Sequence, residues 1–184
     1  MTDIINKLPV NTPIWIRTTI LPGTSKKLSE ITGRKVYHMP EFLTERTYIE
    51  DFKWQPMVFT DDIELLKKIF PGKKHIDMTS TEAEMVKYAH NVFGALKVTY
   101  FNCIYDICQR LNLNYETVRK GILGSTYIND VHTQVPGPDG KFGYGGKCFP
   151  KDVNAFEKMF RYTPLGKLLD PLKKLNDEFR GSDT

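Results

Sequence analysis

The sequence predicts an α/β region followed by a mostly α-helical one. Three observations carry this. Short apolar strands alternate with helical segments as far as residue 78, a helical apolar repeat then runs from 82 to 111, and a Pro- and Gly-dense stretch leads into further amphipathic segments. The expected division is residues 1–78 and 79–184.

Pro13-Ile14-Trp15-Ile16-Arg17-Thr18 reads as a buried strand ended by the turn Leu21-Pro22-Gly23, after which Thr24 or Ser25 caps a short helix to Ile31. Lys35 to His38 is a second strand. Pro40 is expected to start a helical turn with Glu41 and Glu45 on one face. Met57 to Thr60 reads as a third strand, and Ile63 to Phe70 as a helix closed by Pro71-Gly72. This alternation looks like the trailing half of an open α/β sheet.

From Thr79 the texture changes. Ser80 or Thr81 with Glu84 downstream reads as a capping box, and Val86, Ala89, Phe93, Leu96, Tyr100, Ile104, Ile107 and Leu111 follow at helical spacing, interrupted only by Gly94. At 1.5 Å per residue such a helix is about 45 Å long, so it needs another long helix to pack on. Cys103 and Cys108 lie on it as packing residues. Tyr115 to Leu123 forms a second helix capped by Asn114. Residues 124–147 form a loop of the length that is usually functional or mobile, with the turn signals Pro136, Gly137, Pro138, Asp139 and Gly140. One helix follows Pro150 to about Arg161. Another is expected to start with Asp170 as N-cap and Pro171 at its first position, and Gly181 to Thr184 should fray.

The run Gly143-Tyr144-Gly145-Gly146-Lys147-Cys148-Phe149-Pro150-Lys151-Asp152 is the most telling for chemistry. It delivers Cys148 just ahead of a helix, where the helix dipole, weak by itself, and the flanking Lys147 and Lys151 favour a thiolate nucleophile. Taken alone, a cysteine reads equally as a small half-buried hydrophobe.

Composition narrows the classes. With 184 residues, 40% hydrophobic and 26% charged, the chain has the make-up of an ordinary soluble globular protein. A net charge of +4 without a dense basic block argues against nucleic-acid binding. Three cysteines without framework spacing fit reduced thiols, and no signal peptide or apolar run of membrane length occurs, so a cytoplasmic protein without membrane attachment is expected. The spacing of His, Cys, Asp and Glu calls for no metal site.

Four segments in register give these residues a family context. The cysteine run resembles the Gly-Phe/Tyr-Gly-Gly-Ser-Cys-Phe-Pro-Lys-Asp segment of the UDP-glucose/GDP-mannose dehydrogenase family. Arg17-Thr18-Thr19-Ile20-Leu21-Pro22-Gly23-Thr24 is similar to its Lys-Ser-Thr-Val-Pro-Pro-Gly-Thr. Met39-Pro40-Glu41-Phe42-Leu43-Thr44-Glu45 is similar to its Asn-Pro-Glu-Phe-Leu-x-Glu, and Glu84-Met85-Val86-Lys87-Tyr88-Ala89-His90-Asn91 to its Glu-x-x-Lys-x-x-x-Asn. The resemblance implies the trailing part of a Rossmann-like sheet, then a helical central dimerisation domain. It also implies NAD-dependent, two-step oxidation of a sugar-nucleotide C6 alcohol to the acid through a cysteine thioester.

By the same resemblance Cys148 is the nucleophile, and Lys87 and Asn91, one turn apart, stabilise oxyanions and orient oxygen atoms. Asp152 assists proton removal, Glu41 activates water and Thr19 positions it. Thr18, Glu45 and Lys151 are the implied cofactor contacts. Glu41, Phe42, Leu43, Lys87, Asn91, Phe142 and Gly145 are the implied substrate contacts, with Lys97, Tyr127 and Lys141 as further candidates. A nucleotide-sugar substrate and a homodimer through the 82–111 helix are the implied partners.

Departures from the pattern shape the expectation. Lys147 stands where the family has Ser, and Tyr127-Ile128-Asn129 where it has Arg-Ile-Gly. No Gly-x-Gly-x-x-Gly occurs, so the turn that cradles a dinucleotide pyrophosphate is missing and NAD binding by this chain alone is expected to be poor. Met1 falls near the end of the family's first half. Two readings follow: an enzyme part whose dinucleotide half comes from a separate chain or has been removed, or a truncated relative that dimerises or holds a sugar nucleotide without turnover.

Overall fold

A computed structural model of the chain describes residues 1–43, 47–54, 57–59 and 63–181. The chain forms two compact units, Met1–Ala89 and His90–Thr184. The α/β-then-α order read from the sequence is the one observed.

The first unit holds α1 (Thr2–Lys7), β1 (Ile14–Ile16), α2 (Thr24–Thr32), β2 (Val36–His38), α3 (Tyr48–Trp54), β3 (Met57–Phe59), α4 (Ile63–Ile69) and β4 (His75–Asp77). β1 pairs in parallel with β2, and β3 with β4, each pair crossing over through a helix as parallel strands must. The register sets Trp15 opposite Tyr37, and their rings stack at 5.6 Å. Ile5, Ile14, Leu28 and Val36 form one core cluster; Met39 and Leu66, with Trp15 and Phe70 against them, form another. α2 ends at Gly33, whose φ of +65° suits glycine. The next residue, Arg34, spreads its guanidinium over the carbonyls of Ile5, Leu8, Pro9 and Thr12, tying down the chain after α1.

Two expectations here are corrected. α2 is capped by neither Thr24 nor Ser25: Thr24 sends its hydroxyl back to the Leu21 carbonyl at 2.5 Å, and Gly23 is the N-cap with φ +90°. Residues 39–43 form no helical turn, because the Glu41 carboxylate curls back to accept from the Leu43 N–H at 2.7 Å. The short elements α1, α3 and β4 carry too little periodicity to be read from sequence.

α5 (Ser80–Arg110) starts in the first unit and continues in the second, which adds α6 (Tyr115–Leu123), α7 (Phe149–Phe160) and α8 (Pro164–Gly181). The capping box of α5 uses neither Ser80 nor Thr81, and Glu84 takes no part in it; it lies two residues before Thr81 and Glu84. Thr79 and Glu82 form it, the Thr79 N–H donating to the Glu82 carboxylate at 2.7 Å and the Glu82 N–H to the Thr79 hydroxyl at 3.3 Å. Asn114 caps α6 as expected, accepting from the Thr117 N–H at 2.9 Å. Pro171 does not start a helix. It lies inside α8, which packs on α7 and buries Gly166 and Leu169 before the proline and Leu172 after it. The approach at Gly166 is so close that a Cβ would strike the Phe160 carbonyl.

The 124–147 loop is irregular, as expected, but side chains tie it down. Tyr115 donates to the Thr133 carbonyl at 2.5 Å, Arg119 donates to the Thr133 hydroxyl at 3.0 Å, and Arg119 also pairs with Asp130.

Candidate active site

In the first unit α5 buries two charged residues, Glu84 and Lys87, and each has found a partner. Glu84 is fully buried, and its two oxygens accept from the backbone N–H groups of Gly23 at 2.5 Å and Ser25 at 2.8 Å. A carboxylate supplied from far along the chain thus occupies the place of an anion at the start of α2. One turn on, the Lys87 side chain, 5% exposed, points its ammonium at Glu41: it donates to the Glu41 carbonyl and lies 3.3 Å from the carboxylate Oε1. The Phe42 ring lies 5.2 Å beneath the same ammonium. Lys87, Glu41 and Phe42, all expected at the site, are therefore brought together, with Leu43 binding the Glu41 carboxylate through its N–H.

His38, which the sequence did not single out, is fully buried in the same unit. Burial lowers its pKa to about 4; the Ile16 backbone opposes the shift and the nearby Lys87 charge adds to it. Its imidazole is neutral at pH 7.

In the second unit the cysteine stands where the sequence placed it. Cys148 is the N-cap of α7 and exposed, with Pro150 in the first turn, one position later than expected. In that same turn Asp152 is fully buried; it accepts from the Asn91 amide at 2.6 Å and from the Lys151 ammonium. Asn91 in turn shares a 3.0 Å hydrogen bond with the imidazole of His90. Phe149, next to the cysteine, fills the notch left by Gly94, where a Cβ would come within 2.6 Å of its ring. That explains the one interruption of the long helix: glycine is there to admit a ring. His132, whose pKa is lowered first by burial and then by the Lys97 and His90 charges, meets the same ring edge-on at 5.1 Å.

The other expected residues fall as follows. Thr18 is exposed and Thr19 half-buried, and Glu45 lies outside the described residues. Phe142 packs its ring on Tyr105 at 5.4 Å, and Gly145 lies against the Arg180 guanidinium. Lys97 donates to the carbonyl and side chain of Asn129, both at 2.7 Å, while Tyr127 and Lys141 are exposed. Burial pushes the Cys103 thiol pKa up, and Cys108 is 2% exposed, consistent with packing roles for both. Sequence reasoning missed His38, Asn102 and Asn176 and read Glu84 as part of a cap. A polar residue at a position that the strand or helix pattern buries is the signal that could have flagged them.

The residues present do not fit a dinucleotide pyrophosphate. The sequence has no Gly-x-Gly-x-x-Gly, and the α2 amides that an anion would seek already hold Glu84. Among the described residues no group of His, Cys, Asp and Glu is arranged to hold a metal, and no helix is long and apolar enough to cross a membrane.

Residues 81–178 match the model of the UDP-glucose/GDP-mannose dehydrogenase family, central domain. The chain is 28% identical over 186 residues to the UDP-glucose 6-dehydrogenase of Rickettsia felis, covering 90% of this chain and 39% of that protein. It is 31% identical over 190 residues to the GDP-mannose 6-dehydrogenase of Pseudomonas putida, covering 89% and 41%. A solved UDP-glucose dehydrogenase from the archaeon Pyrobaculum islandicum superposes with a TM-score of 0.77 at 28% identity, over 89% of this chain and 40% of that one. The chain spans about 40% of the length of these relatives. With the family model matched over more than half its residues and the fold shared with a solved member, this chain belongs to the UDP-glucose/GDP-mannose dehydrogenase family.

Proposed function

We propose that this chain carries the substrate-side chemistry of a nucleotide-sugar 6-dehydrogenase, the oxidation of a sugar C6 alcohol to the acid. The observation that carries the reading lies in the second unit: an exposed cysteine caps the helix whose first turn holds a buried Asp152 bonded to Asn91. A buried carboxylate beside an amide and an ammonium is a costly arrangement for structure alone, and the reaction has a use for each group.

The Cys148 sulfur adds to the C6 aldehyde and leaves a negative oxygen, which the Lys87 ammonium is suited to stabilise. Asn91 orients the oxygen, and Asp152 takes part in moving the proton. In the last step the Glu41 carboxylate accepts a proton from the water that attacks the thioester carbon, Thr19 positions that water, and the Cys148 thiolate leaves. Family members are NAD-dependent dehydrogenases: NAD⁺ would accept the two hydrides that C6 gives up, one between alcohol and aldehyde and one between the cysteine adduct and the thioester; in this proposal Thr18, Glu45 and Lys151 are the residues nearest the cofactor, and its pyrophosphate is held by a dinucleotide-binding half that these residues do not include. Phe42, Leu43, Phe142 and Gly145 contact the substrate.

The proposal includes a homodimer. Phe93, Tyr100 and Ile107 lie exposed along one stripe of α5, at the spacing of a helix seam, and Leu111 just past its end is exposed too. The three free cysteines support a cytoplasmic setting.

The test is to incubate the purified chain with UDP-glucose, GDP-mannose or UDP-N-acetyl sugars and NAD⁺, with and without the dinucleotide-binding half of a relative, and to follow NADH. Formation of NADH with at least one sugar, and loss of the second oxidation in Cys148→Ala, is the expected result. No NADH in any mixture would sink the proposal.

A further inference from the structure

Just upstream of Cys148 the backbone is gripped by two buried amides for which the proposed chemistry has no role. Asn102 of α5, 2% exposed, accepts from the Gly143 N–H at 3.0 Å and steadies itself by donating to the Val98 carbonyl at 2.8 Å. Asn176 of α8, 5% exposed, spans the next residue. Its Oδ1 accepts from the Tyr144 N–H at 2.7 Å, and its Nδ2 donates to the Tyr144 carbonyl at 3.2 Å. A side-chain amide offers a donor and an acceptor side by side, so it can satisfy both backbone groups of one residue as a neighbouring strand would.

The glycines of the run are explained by this grip. Gly143 has φ +67°, and a Cβ there would lie 2.7 Å from the Asn176 oxygen. Arg180, one turn further along α8, packs on Gly145 and donates to Asp139 at 2.9 Å and to the Phe142 carbonyl at 3.3 Å. Beyond the grip the Tyr144 ring meets Phe149 edge-on at 6.4 Å, and Phe149 is seated over Gly94. Cys148 therefore sits between two anchored residues.

We propose that Asn176, together with Asn102, is a positioning residue for Cys148: it fixes the glycine-rich run on α8 so that the thiol is presented in one place. The proposal rests on Cys148 being the nucleophile of the reading above, but its test reads the thiol and not turnover.

Alkylation by iodoacetamide, resolved by site with mass spectrometry, compares Cys148 with Cys103 in the same molecules and with a free peptide of residues 141–152. In the native chain the Cys148 rate should differ from that of the peptide by at least about threefold. Asn176→Ala should bring it within about twofold of the peptide while the Cys103 rate holds. Asn176→Asp keeps the acceptor for the Tyr144 N–H and should fall between. If Asn176→Ala unfolds, Cys103 will accelerate as well, and Asn176→Asp and Asn102→Ser then carry the comparison. A native Cys148 rate equal to the peptide's, or one unmoved in the folded variants, overturns the proposal and leaves the dehydrogenase reading standing. A moved rate with no NADH in any mixture has the opposite meaning: the clamp stands and the dehydrogenase reading falls.

Discussion

The two units hold their functional segments by opposite means. In the first, the turn before α2 is gripped by a carboxylate, Glu84, and the Lys87 ammonium by another, Glu41, with a buried neutral histidine close by. In the second, the two residues Gly143 and Tyr144 are gripped by amides, Asn102 and Asn176, with Arg180 packed on Gly145 beyond them, and a third amide, Asn91, serves the buried Asp152. Charged grips are stronger per bond than amide grips. The first unit also holds His38, kept neutral by burial, so acid should loosen its segments before those of the second.

The sharpest way to break that contrast is to remove Glu84. Glu84→Ala leaves the Gly23 and Ser25 N–H groups without their acceptor, and two hydrogen bonds to a charged group, each worth about 1.5–3 kcal/mol, make a loss of about 3–6 kcal/mol expected. Hydrogen exchange resolved by residue should show lost protection at Gly23, Ser25 and α2, with α7 and α8 unchanged. Loss spread evenly over both units would mean that the carboxylate is no local latch.

Next in size is the acid response of His38. In the folded chain the imidazole stays neutral down to about pH 4, whereas unfolded it takes up its proton near its ordinary value of 6.5. Between those values the unfolded state binds more protons. The stability it contributes is therefore whole above pH 6.5 and drains away as pH falls towards 4, by up to ~3 kcal/mol. Urea unfolding of the native chain and of His38→Leu across this range should show a steeper acid loss in the native chain. Parallel curves would remove His38 from the explanation.

These two residues also mark the limit of what the sequence could reveal. The long helix, the Asn114 cap and the place of Cys148 were legible because each depends on neighbours within one or two turns. Glu84 was misread for an equally local reason: Thr79-x-x-Glu82 and Thr81-x-x-Glu84 both satisfy the capping-box pattern, and only the fold shows that Glu82 closes the box and Glu84 is left to reach α2. Pro171 misled in the same way, since a proline favours a first turn locally, while burial of Leu169 and Leu172 carries α8 past it. Lys87, Glu41, Asn91 and Asp152 were found through a family resemblance, but the partners that make their burial tolerable come from tertiary structure.

A third, smaller effect tests the neutral side of the contrast. In Gly94→Ala the new methyl would stand 2.6 Å from the Phe149 ring, which Tyr144 and His132 also contact. Overpacking of about 1–3 kcal/mol opposes a helix gain of about 1, so a net loss of about 1–2 kcal/mol is expected, at neutral and acid pH alike. Thermal unfolding measures it. A net stabilisation would show that the ring moves freely, and the seat of Cys148 would then be softer than the packing implies.

The smallest effect is a matched control. Thr79 caps α5 in the first unit and Asn114 caps α6 in the second, each through a side-chain oxygen on an exposed helix start. Neither Thr79 nor Asn114 titrates, but Thr79 also donates to the Glu82 carboxylate and holds its pKa below the ordinary value, so Thr79→Ala and Asn114→Ala should each cost about 1 kcal/mol at pH 7.5, and only the Thr79→Ala cost should ease as pH falls towards the glutamate range. Denaturant midpoints of the two variants at pH 5 and pH 7.5 make the comparison. If Thr79→Ala alone grew costlier in acid, the pH sensitivity of the first unit would belong to the unit as a whole, and the contrast between charged and amide grips would lose its basis.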